Sequence, residues 1–457
     1  MKQFKIGDEI ILDIIDINSE GQGVGKYEGF TLFINGGTLG DKVRVKIIDL
    51  KKSFGIANTI ELLEKSPYRV EPKCKYFHSC DGCQLQNLNY QKQLELKQDM
   101  VKNNIKKIGN ITNVPVKKII GMNNPYRYRN KGEFKVGKDC NIGYFKKGTH
   151  EIYPIDKCII QNEAVNEIVE LVREHMKKYK LEGYDTKTKE GIIRNIIVRI
   201  TKDNKVMVII VTKEEKLPYK EKLIDILINK DRSNNYEIKS IYQNINKKDT
   251  SVVLGSKNIK LYGEDRIVDC IGEYKFFISP KSFFQVNPIQ TEILYNKVLE
   301  YANLKGDEIV FDIYCGIGTI SLFLAKKAKE VYGVEIVKSA IEDAKLNAKI
   351  NNINNAKFYT GKGEDVVPRL YKEGLYADIV VVDPPRKGCE ESVLETMVNM
   401  APEKIIYVSC NPAILARDLA YLVEGGYKVV EVQPVDMFPQ TTHVEVVTLL
   451  IRNEVSK

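Results

Sequence analysis

Alternating apolar and polar positions, interrupted by glycine, run through the first 60 residues of the chain. Short apolar stretches such as EIILDIIDI, TLFI and KVRVKIIDL are separated by glycine-rich turns, and they show no helical period. Several short strands with turn signals between them are typical of a small β-barrel. We therefore predict a β-barrel over residues 1–62, and by fold analogy such barrels often bind oligonucleotides.

The middle of the chain, residues 63–280, mixes two periods. The runs LNYQKQLELKQDMVKNNIKKIG and EAVNEIVELVREHMKKY have the pattern of helices, whereas RNIIVRI, VMVIIV and KSIYQNI have the pattern of strands. This mixture predicts a central α+β domain.

The last part, residues 281–457, alternates short apolar strands with helices. The stretch EIVFDIYCGIGTISLFLAKKAKEVYGVEIV runs strand, glycine turn, helix, strand. We predict a Rossmann-like open α/β domain here. The whole chain then has a multi-domain α/β architecture of β-barrel, α+β domain and Rossmann-like domain, with ligands expected at the carboxyl ends of the last domain's strands.

The glycine turn of this domain holds Gly316 and Gly318 without a third glycine, so the dinucleotide fingerprint is incomplete. Glu335 ends the next predicted strand 17 residues further on, where an acid can accept hydrogen bonds from both ribose hydroxyls. An acidic residue ahead of the turn, here Asp312, is similar to the pattern of S-adenosylmethionine methyltransferases. A Rossmann-like scaffold without a nucleotide is the alternative.

Two polar residues, Asp383 and Cys410, each follow an apolar run that has the pattern of a buried strand. Both should therefore lie at the carboxyl ends of strands. Asn411 suits a helix N-cap, so Cys410 should lie just ahead of a helix N-terminus, whose partial positive charge favours the nucleophilic thiolate. The alternative is a small buried cysteine at a strand end.

Nine cysteines cannot all pair, and in a chain without a signal-peptide pattern or a long apolar run they indicate metal binding or catalysis. We expect a cytoplasmic protein that does not span a membrane. One group has metal-ligand spacing: Cys74, Cys80 and Cys83 lie within ten residues, and Cys158 follows. Four thiolates suit an iron–sulfur cluster or a structural zinc, and unmetallated thiols are the third possibility.

The formal charge of +9 comes from one segment: residues 61–160 carry 19 basic and 10 acidic side chains, and the rest is balanced. Localised positive charge is typical of proteins that bind a polyanion. Within this segment basic and aromatic residues alternate, a pattern that can hold phosphates and stack bases. We predict RNA contact by Arg127, Arg129 and Lys131; a solvated basic sheet face is the alternative.

The motifs FFQVN, DIYCGIGTI, VDPPRKG, SCNP and HVEVV follow one another through the C-terminal half. In this order and spacing the chain resembles the RNA 5-methyluridine methyltransferase family over nearly its whole length. The barrel resembles a TRAM domain, and barrel plus cysteines are similar to the ribosomal-RNA branch. The resemblance implies a [4Fe–4S] cluster on Cys74, Cys80, Cys83 and Cys158, S-adenosyl-L-methionine at Gln285, Tyr314, Glu335 and Asp383, a nucleophile at Cys410 and a base at Glu445.

The implied reaction methylates uracil C5 in RNA, with 23S ribosomal RNA as the expected substrate. A thiolate that adds to C6 makes C5 nucleophilic, and a base then removes the C5 proton. His443 is a rival to Glu445 as that base. We expect a monomer that binds RNA and no DNA, and a target base that leaves its stack.

Three alternatives stay open at this stage. The same reaction could occur on transfer RNA. The DPPR sequence could belong to an amino-group methyltransferase, although Arg386 then replaces the aromatic residue that stacks on the base, and Cys410 has no role. A non-catalytic RNA-binding protein could also retain the fold.

Overall fold

The computed structural model describes residues 4–185, 187–229, 235–250 and 252–453. Its first six strands form one sheet in the order β1-β5-β6-β4-β3-β2. The backbone N–H of Ile15, which follows the first strand, donates to the carbonyl of Val24 in the third strand (2.8 Å). The sheet therefore curves, because the end of its first strand contacts its third strand. The predicted β-rich N-terminal domain is confirmed. Its strands are β1 (Glu9–Asp13), β2 (Asp16–Ile17), β3 (Gly23–Tyr27), β4 (Phe30–Asn35), β5 (Lys42–Leu50) and β6 (Phe54–Glu64).

The central part contains a second sheet with strand order β13-β12-β11-β10-β7-β8-β9. Helices α2 and α3 cover one face of this sheet and bury side chains such as Val169 and Leu223. The elements are α1 (Tyr90–Lys107), β7 (Lys131–Val136), β8 (Ile142–Phe145), β9 (Ile152–Pro154), α2 (Glu163–Lys178), β10 (Ile193–Ile200), β11 (Lys205–Thr212), α3 (Lys220–Asn229), β12 (Glu237–Ile245) and β13 (Lys257–Gly263).

The C-terminal part is an open α/β sheet preceded by a two-stranded hairpin. Its elements are the hairpin strands β14 (Ile267–Ile271) and β15 (Tyr274–Ile278), then α4 (Pro288–Ala302), β16 (Ile309–Ile313), α5 (Thr319–Ala325), β17 (Glu330–Glu335), α6 (Lys338–Ile350), β18 (Ala356–Thr360), α7 (Gly363–Lys372), β19 (Ile379–Val382), α8 (Glu391–Met400), β20 (Lys404–Ser409), α9 (Pro412–Glu424), β21 (Tyr427–Val435) and β22 (Glu445–Arg452).

The strand order of the open sheet is β18-β17-β16-β19-β20-β22-β21, and β22 runs antiparallel to both of its neighbours. The order reverses between β16 and β19, which is where open α/β sheets bind their ligands. Both faces of the sheet are buried, with Val381 in one core and Val380 and Val382 in the other. This explains the near-continuous apolar runs of these strands.

Helix α1 connects the central segment of the chain with the C-terminal sheet. It packs against α9 and β21, and its residues Leu94, Val101 and Ile105 belong to the core under that sheet. The chain that follows α1 then pairs with the sheet edge through the bridges Val116–Val432 and Ile120–Val435. Among the residues that the structure describes, no helix is long and apolar enough to cross a membrane.

Candidate active site and cysteine cavity

Cys410 and Glu445 meet at the ends of two neighbouring strands. Strand β20 ends at Ser409, which pairs with Val446, and strand β22 begins at Glu445. Cys410 follows Ser409 and Glu445 precedes Val446, so the two residues lie next to each other at the strand ends, and the Glu445 charge acts on the Cys410 thiol. Glu445 is 5% exposed, whereas Cys410 is partly accessible. The structure therefore brings the predicted nucleophile and the predicted base together.

The helix that follows Cys410 begins as predicted, with Asn411 at the N-cap and Pro412 in the first turn. However, the Asn411 side chain accepts from the backbone N–H groups of Ala413 (3.2 Å) and Ile414 (3.4 Å), so these donors do not face the thiol. Burial, reinforced by the negative charges of Glu445 and Asp383, raises the pKa of Cys410 to about 11. The helix start by itself is therefore not enough to make Cys410 a thiolate, because burial and the two acids oppose it.

Two acidic groups share this site. Burial raises the pKa of Asp383 to about 6, and burial together with the Asp383 charge raises the pKa of Glu445 well above its usual value. The exposed Arg386 opposes these effects, because its positive charge lowers the pKa of both Glu445 and Cys410. Arg386 is held by its backbone, whose carbonyl accepts from the Asn411 side chain (3.2 Å).

Sequence reasoning missed this role of Arg386. In the sequence, Arg386 stands out only because it replaces the aromatic residue after DPP. Its position three residues after Asp383 also indicates a positive charge close to the predicted site. The rival base, His443, lies in the same region. Lost hydration and the nearby charges of Arg386, Lys97 and Arg129 lower the pKa of its ring to about 4, so it is neutral at physiological pH.

A pocket opens beside the two acids, where the strand order reverses. Three of the four residues predicted to bind the cofactor line it: Gln285, Tyr314 and Asp383. Gly316 of the glycine turn also lines the pocket, and Gly316 (φ 56°) and Gly318 (φ 79°) adopt left-handed backbone angles that favour glycine. Tyr295 and Thr319 line the pocket as well, and their hydroxyls are 3.0 Å apart.

Glu335, the fourth predicted residue, lies just beyond the glycine turn at the end of β17. Its carboxylate accepts from the backbone N–H groups of Gly316 (3.2 Å) and Val337 (2.8 Å), so it is fixed in place with further lone pairs free to accept. One buried oxygen of the pocket, Asp312 Oδ1, has no protein partner. An unsatisfied buried carboxylate oxygen near a fixed acid fits a polar ligand with hydroxyl and amino groups, such as S-adenosylmethionine.

The four predicted cysteine ligands line a second cavity, between the segment 74–86 and strands β7 and β8. Burial and the neighbouring thiols raise the pKa of Cys83 to about 12, and burial raises the pKa of Cys158 to about 11. Within the described parts of the chain, no three His, Cys, Asp or Glu side chains are arranged to hold a single metal ion.

The three residues predicted to contact RNA do not share one exposed face. Arg127 is exposed and forms an ion pair with Glu163 at 2.5 Å. Arg129 and Lys131 line the cysteine cavity, where Arg129 Nε is buried without a partner. Burial and the charge of Arg199 lower the pKa of Lys131 to about 8. The alternation of basic and aromatic residues predicted that all three side chains share one exposed face. The cavity that receives Arg129 and Lys131 forms only when cysteines distant in sequence pack against the sheet.

Comparisons with family profiles and with similar proteins all identify RNA methyltransferases. The profile of the tRNA (uracil-5-)-methyltransferase family matches residues 89–453, and that of the TRAM domain matches residues 3–60. Two relatives named uncharacterized RNA methyltransferase are similar over nearly their full lengths. The one from Clostridium tetani is 50% identical over 96% of this chain and 95% of its own length. The one from Caldanaerobacter subterraneus is 48% identical over 99% of this chain and 100% of its own length.

One solved structure is similar over the whole chain. The tRNA (uracil-54, C5)-methyltransferase of Pyrococcus abyssi, in complex with S-adenosyl-L-homocysteine, superimposes with a TM-score of 0.77 at 30% identity. The match covers 97% of this chain and 100% of the archaeal one.

Proposed function

We propose a substrate and a mechanism for this chain, which belongs to the S-adenosylmethionine-dependent RNA (uracil-5-)-methyltransferase family and carries a TRAM domain. The proposal is methylation of C5 of a uracil base in 23S ribosomal RNA, in the cytoplasm. It rests on one observation: Cys410 and Glu445 lie at neighbouring strand ends, and the charges of Glu445 and of the pocket residue Asp383 both act on the Cys410 thiol. Transfer RNA is the second candidate, because the similar archaeal structure is named for a transfer-RNA uracil.

The reaction needs a nucleophile because C5 of uracil does not attack an electrophile readily. The thiolate of Cys410 adds to C6, and the electrons of the C5–C6 double bond move to the C4 carbonyl as an enolate. When bound, S-adenosylmethionine supplies an electrophilic methyl group, which C5 takes with release of the neutral thioether. Glu445 then removes the C5 proton, the double bond re-forms, and the bond between C6 and sulfur breaks to return the thiolate.

The charges around the two residues support this division of roles. The positive charge of Arg386 lowers the pKa of the Cys410 thiol, which opposes the burial that raises it. The raised pKa of Glu445 makes its carboxylate a stronger proton acceptor than a solvated glutamate. Gln285, Tyr314 and Glu335 are the residues that would orient the cofactor, and Asp383 connects its pocket with the reacting pair.

For the four cysteines we propose an iron–sulfur cluster. The observation that supports this proposal is that all four cysteines line one cavity. A cluster binds each thiolate through a different iron and so needs ligands spread around it. Its negative charge would suit the cationic Arg129 and Lys131 in the cavity wall. The proposed reaction transfers no electron, so the cluster has a structural role here.

The substrate is tested by mapping 5-methyluridine across ribosomal and transfer RNA of a deletion strain. The proposal predicts loss from one or more positions of 23S ribosomal RNA, with restoration by the wild-type gene and none by the Cys410→Ala gene. Loss from transfer RNA alone would contradict the ribosomal assignment and support the second candidate. Complete retention at all positions would contradict the proposed activity.

A further inference from the structure

The loop between β21 and β22 is held by an unusual number of outside donors. Strand β21 ends at Val435, which pairs with Glu445 at the start of β22. Between them, each of the five consecutive backbone carbonyls of residues 436–440 accepts a hydrogen bond from elsewhere in the chain. The donors, in order of the carbonyls from Asp436 to Gln440, are the side chains of Gln290 (3.1 Å), Asn287 (2.9 Å), Lys97 (3.0 Å) and Tyr128 (3.0 Å), and the backbone N–H groups of Gln84 and Leu85 (both 3.0 Å).

The strongest of these attachments involves charge. The Lys97 ammonium group lies 2.5 Å from Asp436 Oδ1, and both side chains are 0% exposed. The second carboxylate oxygen, Asp436 Oδ2, accepts from the Tyr90 hydroxyl (2.7 Å). A buried ion pair contributes little net stability over an apolar pair of the same volume, because both charges lose their hydration. The pair instead fixes the position of the loop, because Lys97 on helix α1 bonds both the first and the third residue of the loop.

The far end of the loop is under conformational strain. Gln440 has φ 72°, in the left-handed region that costs a residue with a side chain about 1 kcal/mol or more. Such a conformation persists only where the surroundings determine it. Here Gln93 donates to Gln440 Oε1 (3.1 Å) and accepts from its backbone N–H (3.2 Å), and the amides of Gln84 and Leu85, immediately after Cys83, close on its carbonyl.

We propose that Lys97 and Asp436 are positioning residues for the proton-removal step: through the loop 436–440 they hold Glu445 next to Cys410. The inference rests on the proposed function, in which Glu445 takes the C5 proton. Neither residue touches substrate. Without the pair, the loop loses its charged attachment to helix α1, and Glu445 samples positions that do not reach C5, whereas Cys410, carried by β20 and α9, keeps its place.

The test uses the full chain with the double substitution Lys97→Met and Asp436→Asn. This variant removes both buried charges together, retains side-chain volume, and leaves an amide oxygen to accept from Tyr90, so it avoids an unpaired buried charge. A matched control is Lys117→Met with Glu431→Gln, which removes an ion pair (2.9 Å) from the same strand β21 away from the loop. Should the double variant fail to fold, Tyr128→Phe removes one loop donor without any charge.

The decisive measurement separates the two bond changes at C5. RNA carrying tritium at uracil C5 and S-adenosylmethionine labelled in its methyl group are mixed with excess enzyme. Methyl incorporation reports addition and transfer, and tritium release reports proton removal. The positioning role predicts methyl incorporation within about threefold of wild type and tritium release slowed by about tenfold or more. A purely structural role would slow both together. Tyr128→Phe should also slow tritium release more than methyl incorporation, but by a smaller factor. The control should slow neither.

Hydrogen exchange gives a second readout that does not depend on the chemistry. The amides of residues 436–438, 440 and 441 should exchange about tenfold faster in the double variant and at the wild-type rate in the control. Unchanged exchange, or an equal fall of both labels, overturns the inference. Glu445→Gln in the same assay tests the proposed function separately. If that variant releases tritium normally, the assignment of the base fails, and the positioning role of the pair in proton removal fails with it. If it blocks tritium release while the double variant does not slow it, the inference on the loop alone fails.

Discussion

Glu445 begins the strand that pairs with the strand ending one residue before Cys410, so the two residues lie at the same edge of the sheet. The carboxylate charge of Glu445 raises the pKa of the Cys410 thiol. A nucleophile and a base at neighbouring strand ends can act on adjacent ring atoms, here C6 and C5 of uracil. Glu445 is carried by β22 and the loop before it, and Cys410 by the turn between β20 and α9.

The first prediction concerns the reactivity of the free thiol. Because the pKa of Cys410 is raised to about 11, its thiolate fraction should rise about tenfold for each pH unit below that value. The rate of alkylation by iodoacetamide between pH 7 and pH 10 should follow this slope, with Cys410→Ala as the background. Arg386→Gln removes the charge that lowers this pKa, so alkylation at pH 8 should slow.

The matched control is Lys387→Gln, which removes the neighbouring positive charge that pairs with Glu390 instead. Its alkylation rate should equal that of the wild type. A thiol that reacts at a pH-independent rate above pH 7 would show that its pKa is low, and the charge account of this site would then be wrong.

The second prediction concerns the cofactor. Glu335→Gln should weaken the binding of S-adenosyl-L-homocysteine by about tenfold or more, because a charge-assisted hydrogen bond contributes about 1.5–3 kcal/mol. Isothermal titration calorimetry measures this change. The control is Glu330→Gln at the opposite end of β17, where the carboxylate pairs with Lys357. Equal affinities of wild type and Glu335→Gln would remove Glu335 from the cofactor site.

The third prediction concerns the cysteine cavity. Protein purified without oxygen should be brown and contain about four iron and four sulfide per chain, the composition of a [4Fe–4S] cluster. Cys83→Ser should lower both contents, whereas Cys270→Ser, outside the cavity, should not. A colourless protein with one zinc per chain would refute the cluster.

The fourth prediction separates RNA contact from the cavity. Arg127 is exposed, so Arg127→Gln should weaken RNA binding and reduce the slope of log affinity against log salt by about one. Lys131 lines the cavity, so Lys131→Met should leave that slope unchanged and lower iron retention. If the two variants change the salt slope equally, Lys131 reaches RNA despite its burial.

Much of the fold follows from the local pattern. The strand ending at Ser409, the helix after Asn411 and the acid ending β17 all lie where the sequence predicts them. Periodicity and an N-cap are local signals. The family, identified from the order of its motifs, is confirmed by the matches to its profile and to its relatives.

Other features depend on contacts between residues that are far apart in the sequence, so the sequence pattern could not predict them. No pattern along the chain shows that Arg129 and Lys131 turn into the cavity lined by Cys158, or that Lys97 pairs with Asp436, 339 residues away. The sequence shows the helix start after Cys410, but not the two acids that fold against the thiol and raise its pKa. Such charges act through space, and only the assembled sheet brings them together.

The central claim, that Cys410 adds to uracil and Glu445 removes the C5 proton, is tested most directly by trapping the adduct. Glu445→Gln should carry out addition and methyl transfer but retain the C5 proton, so enzyme and methylated RNA should remain covalently joined. A slow band on a denaturing gel, sensitive to nuclease, reports this species. Wild type should be trapped in the same way by RNA containing 5-fluorouridine, because fluorine cannot leave as a cation.

His443→Ala is the matched control for the base, since its ring lies in the same loop and should give no trapped band on ordinary RNA. Cys410→Ala should give no methylation and no adduct with either RNA. The account predicts a band for Glu445→Gln that disappears when Cys410→Ala is added. Methylation by Cys410→Ala, or an adduct formed without Cys410, would contradict it.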